Sequence, residues 1–213
     1  MGRIFYVSSM HGDDTNSGQT PEDAFRSLRK INQLEIQPGD QIFLERGSVF
    51  IGEYLHLYAG GTKEAPVVVD AYGEGALPRI EADGNGIWYQ NYGGHLDNVV
   101  HTWKGYLSSA VLLYDAEYIS IRNLEITNNP CIKNERLNQA DRMNRTGVSV
   151  IAQNHGTLHQ IELDHLYIHD VEGNIYDKHL NNGGIYMSVS RPDDEEKTGI
   201  ARYDGIHIHH CKV

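Results

Sequence analysis

The chain of 213 residues carries a formal net charge of −11, and it is rich in glycine (22) and tyrosine (13). This length suffices for a single well-formed core, and the composition favours a turn-rich β protein over a helical bundle. The negative charge disfavours nucleic-acid binding because a phosphate backbone would be repelled, and no apolar run is long enough to cross a membrane.

The first 85 residues predict a short helix followed by strands. Thr20 is a candidate N-cap before Pro21, and Phe25, Leu28 and Ile31 then fall on one face of a helix. Such an apolar face would cover the open first coil of a repeat protein. Strands with glycine-rich turns between them are expected next, at 41–44, 54–57, 66–69 and 78–81.

From residue 110 onward, two kinds of strand recur. The first kind recurs every 37 residues, at 110–113, 147–150 and 184–187. The second kind recurs after 42 and then 40 residues, at 121–126, 163–168 and 203–208. Stacking such units would align their apolar residues in columns. The predicted columns are Val111/Val148/Ile185, Leu113/Val150/Met187, Leu124/Leu166/Ile206 and Ile126/Ile168/Ile208.

These repeats predict an all-β fold, a right-handed parallel β-helix (a solenoid) that forms one domain over residues 1–213. An N-terminal strand and capping helix would occupy 1–37, and β-helix coils 38–213. Long loops are expected at 87–109, 128–146 and 170–183. A β-sandwich also has many short strands, but it does not require a near-constant interval. Because the chain stops directly after a strand, we expect a fragment open at its C-terminal end, with the remainder of a longer chain missing.

Several segments resemble bacterial pectate-lyase-like β-helix proteins, namely 5–8 (FYVS), 12–18 (GDDTNSG), 38–40 (PGD), 66–73 (PVVVDAYG), 168–174 (IHDVEGN) and 183–185 (GGI). The nearest resemblance is to the glycoside hydrolase branch with xylanase-like and fucosidase-like members. It implies an extracellular or periplasmic protein that acts on a polysaccharide or oligosaccharide, with loops walling a groove over one parallel sheet. The same superfamily contains lyases and non-catalytic surface proteins, and fold alone does not choose among them.

The segment 170–183 contains the acidic residues predicted to carry out the chemistry. Asp170, Glu172 and Asp177, together with His169, are the catalytic candidates, because glycoside hydrolysis uses one carboxyl as acid and another as base or nucleophile. A lyase would instead need a base and a group, often Ca²⁺, that neutralises a uronate. A solvated turn is the structural alternative for these acids.

Aromatic and polar side chains around this segment are predicted to hold the sugar, since flat aromatic faces suit sugar rings. The predicted substrate-binding residues are Trp103, Trp88, Tyr186, Ser149, Asn174 and His209. We assign Thr127, His169 and His209 to equivalent outward positions, and Asn128, Asp170 and His210 likewise, so that His169 and His209 should lie one coil apart. A histidine metal site is an alternative here, but plain surface histidines are expected and no metal ligand is predicted.

The preferred function is a glycoside hydrolase that cleaves a complex, plant-type polysaccharide by carboxyl acid/base chemistry. No cofactor is predicted for it. A Ca²⁺-dependent polysaccharide lyase and a non-catalytic glycan-binding β-helix surface protein are the alternatives. Two carboxyls about 5–10 Å apart beside an aromatic floor would favour the hydrolase.

Overall fold

The computed structural model describes residues 2–91, 104–129, 143–173 and 181–213. Within these ranges the protein is almost entirely β-structure. The helical segments described are short: a 3₁₀ helix at Pro21–Asp23, α1 at Leu28–Asn32 and α2 at Glu195–Thr198. None of the described helices has the length and apolar character needed to span a membrane. The predicted all-β class is confirmed.

The strands form three sheets, named here A, B and C. Sheet A contains, in spatial order, β1 (Ile4–Val7), β2 (Gln41–Glu45), β5 (Val67–Tyr72), β9 (Ile119–Arg122), β12 (Thr157–Asp164) and β15 (Arg202–His209). Sheet B contains β3 (Val49–Ile51), β6 (Arg79–Glu81), β10 (Glu125–Asn128) and β13 (Tyr167–Val171). Sheet C contains β4 (Leu55–Leu57), β8 (Lys104–Tyr114), β11 (Asn144–Ala152) and β14 (Gly183–Val189), and β7 (Ile87–Asn91) pairs antiparallel with β8.

From β2 onward the chain enters sheets A, B and C in turn, and the strand pairs within these three stacks are parallel. Because each strand stacks on its equivalent from the previous turn, apolar residues meet in columns. The predicted columns Val111/Val148/Ile185 and Leu113/Val150/Met187 are confirmed in sheet C, and the pair Ile126/Ile168 in sheet B. The inward residues of all three sheets form one continuous buried core.

The predicted third copy of the second repeat is wrong. Ile206 and Ile208 pair with Ile161 and Leu163 in sheet A, rather than stacking on Ile168 in sheet B. His209 accordingly pairs with Asp164, so it does not lie one coil above His169. Alternation of apolar and polar residues is the same in both sheets, and it does not reveal to which of them a strand belongs.

The predicted N-terminal helix is divided into two pieces. The Thr20 hydroxyl accepts a hydrogen bond from the Asp23 backbone N–H and caps the 3₁₀ helix, but Phe25 then makes a parallel bridge with Val7 instead of continuing it. Of these two pieces, the second is the α-helix α1. It covers the edge of sheet C, where the Asn32 side chain donates to the Tyr54 carbonyl at 2.8 Å and accepts from the β4 backbone. The capping role predicted for this segment is therefore played by α1.

The corner between sheets A and B forces one residue per turn into the left-handed backbone region. In successive turns this residue is Asn123 (φ 56), His165 (φ 51) and His210 (φ 53). Asparagine adopts this conformation more readily than most residues, and histidine is also enriched in it. These three residues mark the true register of the second repeat, because each directly follows the end of a sheet A strand.

Candidate active site

Three segments leave the stack between sheets B and C, and each of the three predicted loops begins and ends within a strand. The predicted loop 87–109 is wrong at both ends, because β7 and β8 form an antiparallel pair that folds back along sheet C. The loops 128–146 and 170–183 are likewise shorter than predicted, since strands extend into them. Trp103, Asn174 and Asp177 lie outside the described residues.

Trp88 is buried on the outer face of sheet C. It packs with Leu107, Leu112 and Ile151 in an apolar cluster separate from the main core. Its indole N–H donates to the Ser109 hydroxyl at 2.7 Å. Trp88 is only 6% exposed, so the structure places it in support of the hairpin rather than on an open sugar-binding face.

Ser149 belongs to a buried triangle of hydroxyls beneath Trp88. The Ser109 oxygen lies 2.7 Å from that of Thr146 and 2.9 Å from that of Ser149, and the latter two lie 2.7 Å apart. All three are fully buried. Ser149 points outward from its sheet, as the alternation along its strand indicates, but the hairpin covers it, so a role in sugar binding would need the hairpin to open.

Tyr186 is half-buried beside this cluster, and Gln90 of the hairpin links it to the segment before β14. Its hydroxyl accepts a hydrogen bond from the Gln90 amide at 2.9 Å, and the Gln90 carbonyl oxygen accepts from Asn181 at 3.1 Å. Gln90 is buried, and sequence reasoning missed it. Its position two residues after Trp88 on one strand was the available signal, since alternate residues face the same side.

His169 lies between two carboxylates at the end of sheet B. Its Nδ1 is 2.9 Å from Asp170 and its Nε2 is 3.0 Å from Glu125, while the Tyr167 ring stacks on it at 4.3 Å between centroids. Asp170 is a bulge residue with φ of 49°, because the register shifts between Thr127/His169 and the next pair. Asp170 is therefore not equivalent to Asn128, as the sequence suggested, and its carboxylate is exposed.

Glu172 follows the bulge and is fixed by its backbone. Its N–H donates to the Asn128 carbonyl at 3.2 Å, and its carbonyl accepts from the buried Arg145 at 3.1 Å. The Arg145 backbone N–H in turn donates to Asn182 at 2.8 Å. Arg145, Asn128 and Asn182 thus hold the start and end of the segment that contains Asn174 and Asp177. Sequence reasoning missed Arg145 and Asn182, and it assigned Asn128 only to an outward position.

Asn128 is fully buried and ties together neighbouring turns of the chain. Its side-chain N–H₂ donates to the Thr146 carbonyl at 3.0 Å and to the Ser108 hydroxyl at 3.0 Å, and its oxygen accepts from the Gly84 N–H at 2.9 Å. A buried amide with its groups paired in this way rigidifies its surroundings. Asn128 therefore holds rigid the part of the stack from which the three segments leave.

A groove lies on the outer face of sheet A. It encloses about 400 Å³ and is lined by Pro66, Val68, Tyr118, Ile119, Ser120, Arg122, Gln160, Glu162 and His207. A hydrogen bond donated by Ser120 lowers the pKa of the Glu162 carboxyl. His209, predicted to bind substrate beside His169, lies instead next to this groove, with its Nε2 3.3 Å from Glu162.

Glycoside hydrolases are the class of protein to which this chain is similar. The chain aligns over its whole length, at 37% identity across 244 residues, with lacto-N-biosidase from Bifidobacterium longum subsp. longum. Crystal structures of GH136 lacto-N-biosidase from Eubacterium ramulus, as selenomethionine derivative and as native protein, superpose with a TM-score of 0.91 at 55% identity. No protein-family model matches the sequence.

The chain spans only part of these relatives. It covers 15% of the Bifidobacterium protein and 34% of the Eubacterium structure, while 99% of this chain is matched by the selenomethionine structure. The relatives agree with the enzyme class predicted from sequence, because they are glycoside hydrolases. Their names refer to lacto-N-biose and not to a plant polysaccharide.

Proposed function

We propose that this chain is one part of a longer glycoside hydrolase of the lacto-N-biosidase kind, built as a right-handed parallel β-helix. The observation that carries the proposal is the 55% identity and TM-score of 0.91 over 99% of the chain. The order in which the chain enters sheets A, B and C supports the β-helix, since a solenoid stacks one strand per sheet in every turn.

The proposed reaction is hydrolysis by two carboxyls at the corner between sheets B and C. Asp170, Glu172 and Asp177 are the candidates for acid and for base or nucleophile. Asp170 belongs to the parallel strand β13 and Glu172 directly follows it, while Asp177 remains a candidate from the sequence alone. His169 is proposed as a positioning residue, since it contacts the Asp170 carboxylate at 2.9 Å and is itself held by Glu125. This arrangement fixes the orientation of Asp170 despite its exposure.

The proposed substrate is an oligosaccharide from which lacto-N-biose is released, in place of the plant-type polysaccharide predicted from sequence. Tyr186 is proposed to contact the sugar, because its ring is half-buried at the edge of the corner and Gln90 fixes its hydroxyl. Trp103 and Asn174 remain predicted sugar contacts. Trp88 and Ser149 are proposed to act indirectly, by holding the hairpin β7–β8.

The test uses the full-length protein and a chromogenic lacto-N-bioside. Asp170→Asn, Glu172→Gln and Asp177→Asn are assayed separately, and removal of a general acid or base should lower kcat by about 10²–10⁴-fold. Asp193→Asn is the matched control, because this exposed carboxylate lies in another loop, beside Asn154. If all three variants keep the parent kcat, the catalytic carboxyls lie elsewhere.

Assays of the full-length protein against uronate polymers and other glycans separate the alternatives. An ultraviolet-absorbing unsaturated product from a uronate polymer would establish a lyase. Glycan binding without any release of product would establish a non-catalytic surface protein. We further propose that hydrolysis needs no metal, so that EDTA leaves kcat unchanged, and that the protein works outside the cytoplasm, in an extracellular or periplasmic location that cell fractionation can check.

A further inference from the structure

Four side chains with metal-binding atoms converge at the corner between sheets A and B. They are Asp164 and His165 in one turn, and His209 and His210 in the next. The ligand atoms of Asp164, His165 and His210 all lie within 4.8 Å of one another. The left-handed corner residues His165 and His210 stack one above the other, with ring centroids 4.6 Å apart. The stacking of turns thus brings together residues far apart in sequence.

One carboxylate oxygen faces three imidazole nitrogens. Asp164 Oδ1 is 2.6 Å from His165 Nδ1, 2.9 Å from His209 Nδ1 and 3.2 Å from His210 Nδ1. The Nδ1 atoms of His209 and His210 are themselves only 2.9 Å apart. If both donate a proton to Asp164, their N–H groups oppose each other. A divalent cation that accepts a lone pair from each nitrogen would remove this conflict.

The orientation of His209 follows from a second carboxylate. Glu162 Oε1 lies 3.3 Å from His209 Nε2, on the side of the ring away from the cluster. A carboxylate that accepts the outer N–H of a histidine fixes the tautomer with its free lone pair on the other nitrogen. Ser120 in turn donates to Glu162. The outer support of a metal-binding histidine is therefore already in place.

The cluster is open to solvent on one side. The side chains of His165 and His210 are 56% and 66% exposed, while that of Asp164 is 17% exposed. An ion can thus reach the nitrogens, and the negative net charge of the chain favours a cation. Asp164 and His165 precede strand β13, whereas Asp170 and Glu172 lie at the end of that strand, at a different corner.

We propose that Asp164, His165 and His210, with His209 as fourth ligand, bind a divalent transition-metal ion of the zinc class. Zinc binds histidine nitrogen and carboxylate oxygen at about 2.0–2.2 Å, so its tetrahedral ligands lie about 3.4 Å apart. The separations of 2.6–3.2 Å from Asp164 Oδ1 would need to lengthen by about 0.2–0.8 Å to reach that spacing. Ca²⁺ and Mg²⁺ prefer oxygen ligands throughout and fit this set poorly.

The ion would act as a clip between two turns of the stack. It joins the end of β12 to the end of β15, which pair through Asp164 and His209. Because the unfolded chain does not hold these ligands together, binding should stabilise the folded state. The site is proposed as structural, so it stands or falls independently of the hydrolase activity.

The test is calorimetric titration of Zn²⁺ into the metal-free chain, repeated with His165→Ala, His210→Ala and Asp164→Asn. The parent should bind one Zn²⁺, and each variant should bind at least about tenfold more weakly, since even outer-shell changes cost 10–100-fold. Zn²⁺ should raise the thermal unfolding midpoint of the parent but not that of His210→Ala. Excess Ca²⁺ should not displace Zn²⁺.

His155→Ala is the matched control. His155 and His159 also pair with a carboxylate, that of Glu117 in the turn before β9, but they contact different oxygens of it, at 3.1 Å and 2.7 Å. The Zn²⁺ affinity of the His155→Ala variant should stay within about twofold of that of the parent, because no ligand is lost. The absence of one-to-one binding, or equal weakening by His155→Ala and His210→Ala, would overturn the proposal. Circular dichroism verifies that each variant is folded.

Discussion

His56 makes the stability of this protein depend on pH in a defined window. The side chain is 6% exposed between Tyr54 and Tyr58, and its Nε2–H donates to the Ser109 carbonyl at 2.9 Å. Burial lowers the pKa of His56 from 6.5 to about 4, against the smaller opposing effect of the Ser109 carbonyl. The folded state therefore holds the imidazole neutral at pH values where the unfolded chain protonates it.

The sign and size of the effect follow by linkage. Because the pKa is lower in the folded state, the unfolded state binds more protons, and stability is lost as pH falls from about 6.5 towards about 4. With these two pKa values, His56 alone removes about 2.5 kcal/mol of unfolding free energy between pH 7.5 and pH 4.5. Buried carboxylates with lowered pKa values add their own losses, so the contribution of His56 must be isolated by substitution.

The assay compares urea unfolding of the parent and of His56→Gln at about pH 7.5, 6, 5 and 4.5. Glutamine does not titrate and keeps an N–H near the Ser109 carbonyl. The stability difference between the two proteins should shift in favour of the variant by about 2.5 kcal/mol across this range. His11→Gln, at a side chain that is 70% exposed, is the control, because it separates the loss of a histidine from the loss of a buried one. A difference between parent and His56→Gln that is constant with pH would refute the reasoning.

Three further substitutions test the buried polar groups. Asp40→Asn should lower the free energy of unfolding by about 2–3 kcal/mol in urea, because the buried carboxylate accepts from the Gln37 N–H and the Arg3 guanidinium; a loss below about 0.5 kcal/mol would contradict this. Asn128→Ala should cost about 2–4 kcal/mol by the same measurement, since it leaves a backbone N–H and a carbonyl unpaired inside. Ser149→Ala should cost about 1 kcal/mol and leave the KM of the full-length enzyme unchanged, so a tenfold rise in KM would show that the hydroxyl reaches substrate.

The repeat could be predicted where its side chains point inward. The prediction failed where only the alternation of apolar and polar residues was available. Val111, Val148 and Ile185 share a column because the interior accepts only apolar residues, which leaves a constant interval in the sequence. Ile208 was assigned to the wrong sheet because its neighbourhood alternates like that of Ile168. The left-handed corner residue was the better marker, but its conformation is not visible from sequence alone.

The position of the candidate site could be predicted from the sequence, but the exposure of its side chains to solvent could not. Asp170 and Glu172 lie at the corner that the strand ends indicated. Trp88 and Ser149 face outward from their sheets, as alternation predicts, yet both are buried because the β7 strand folds back over sheet C. Such a cover depends on a long-range contact between a loop and a sheet face, which local patterns do not encode.

The parallel pairing described above also bears on how fast the chain can fold. Ile119 pairs with Ile161, 42 residues further along, and the other stacked strands have partners at comparable separations. Contacts of this kind reward the chain only after a long loop has closed, which slows folding. Among the described strand pairs, β7 and β8 have the shortest separation in sequence, with Asn91 paired to Lys104. We therefore expect slow refolding, with partly stacked intermediates whose exposed strand edges make dilute conditions necessary.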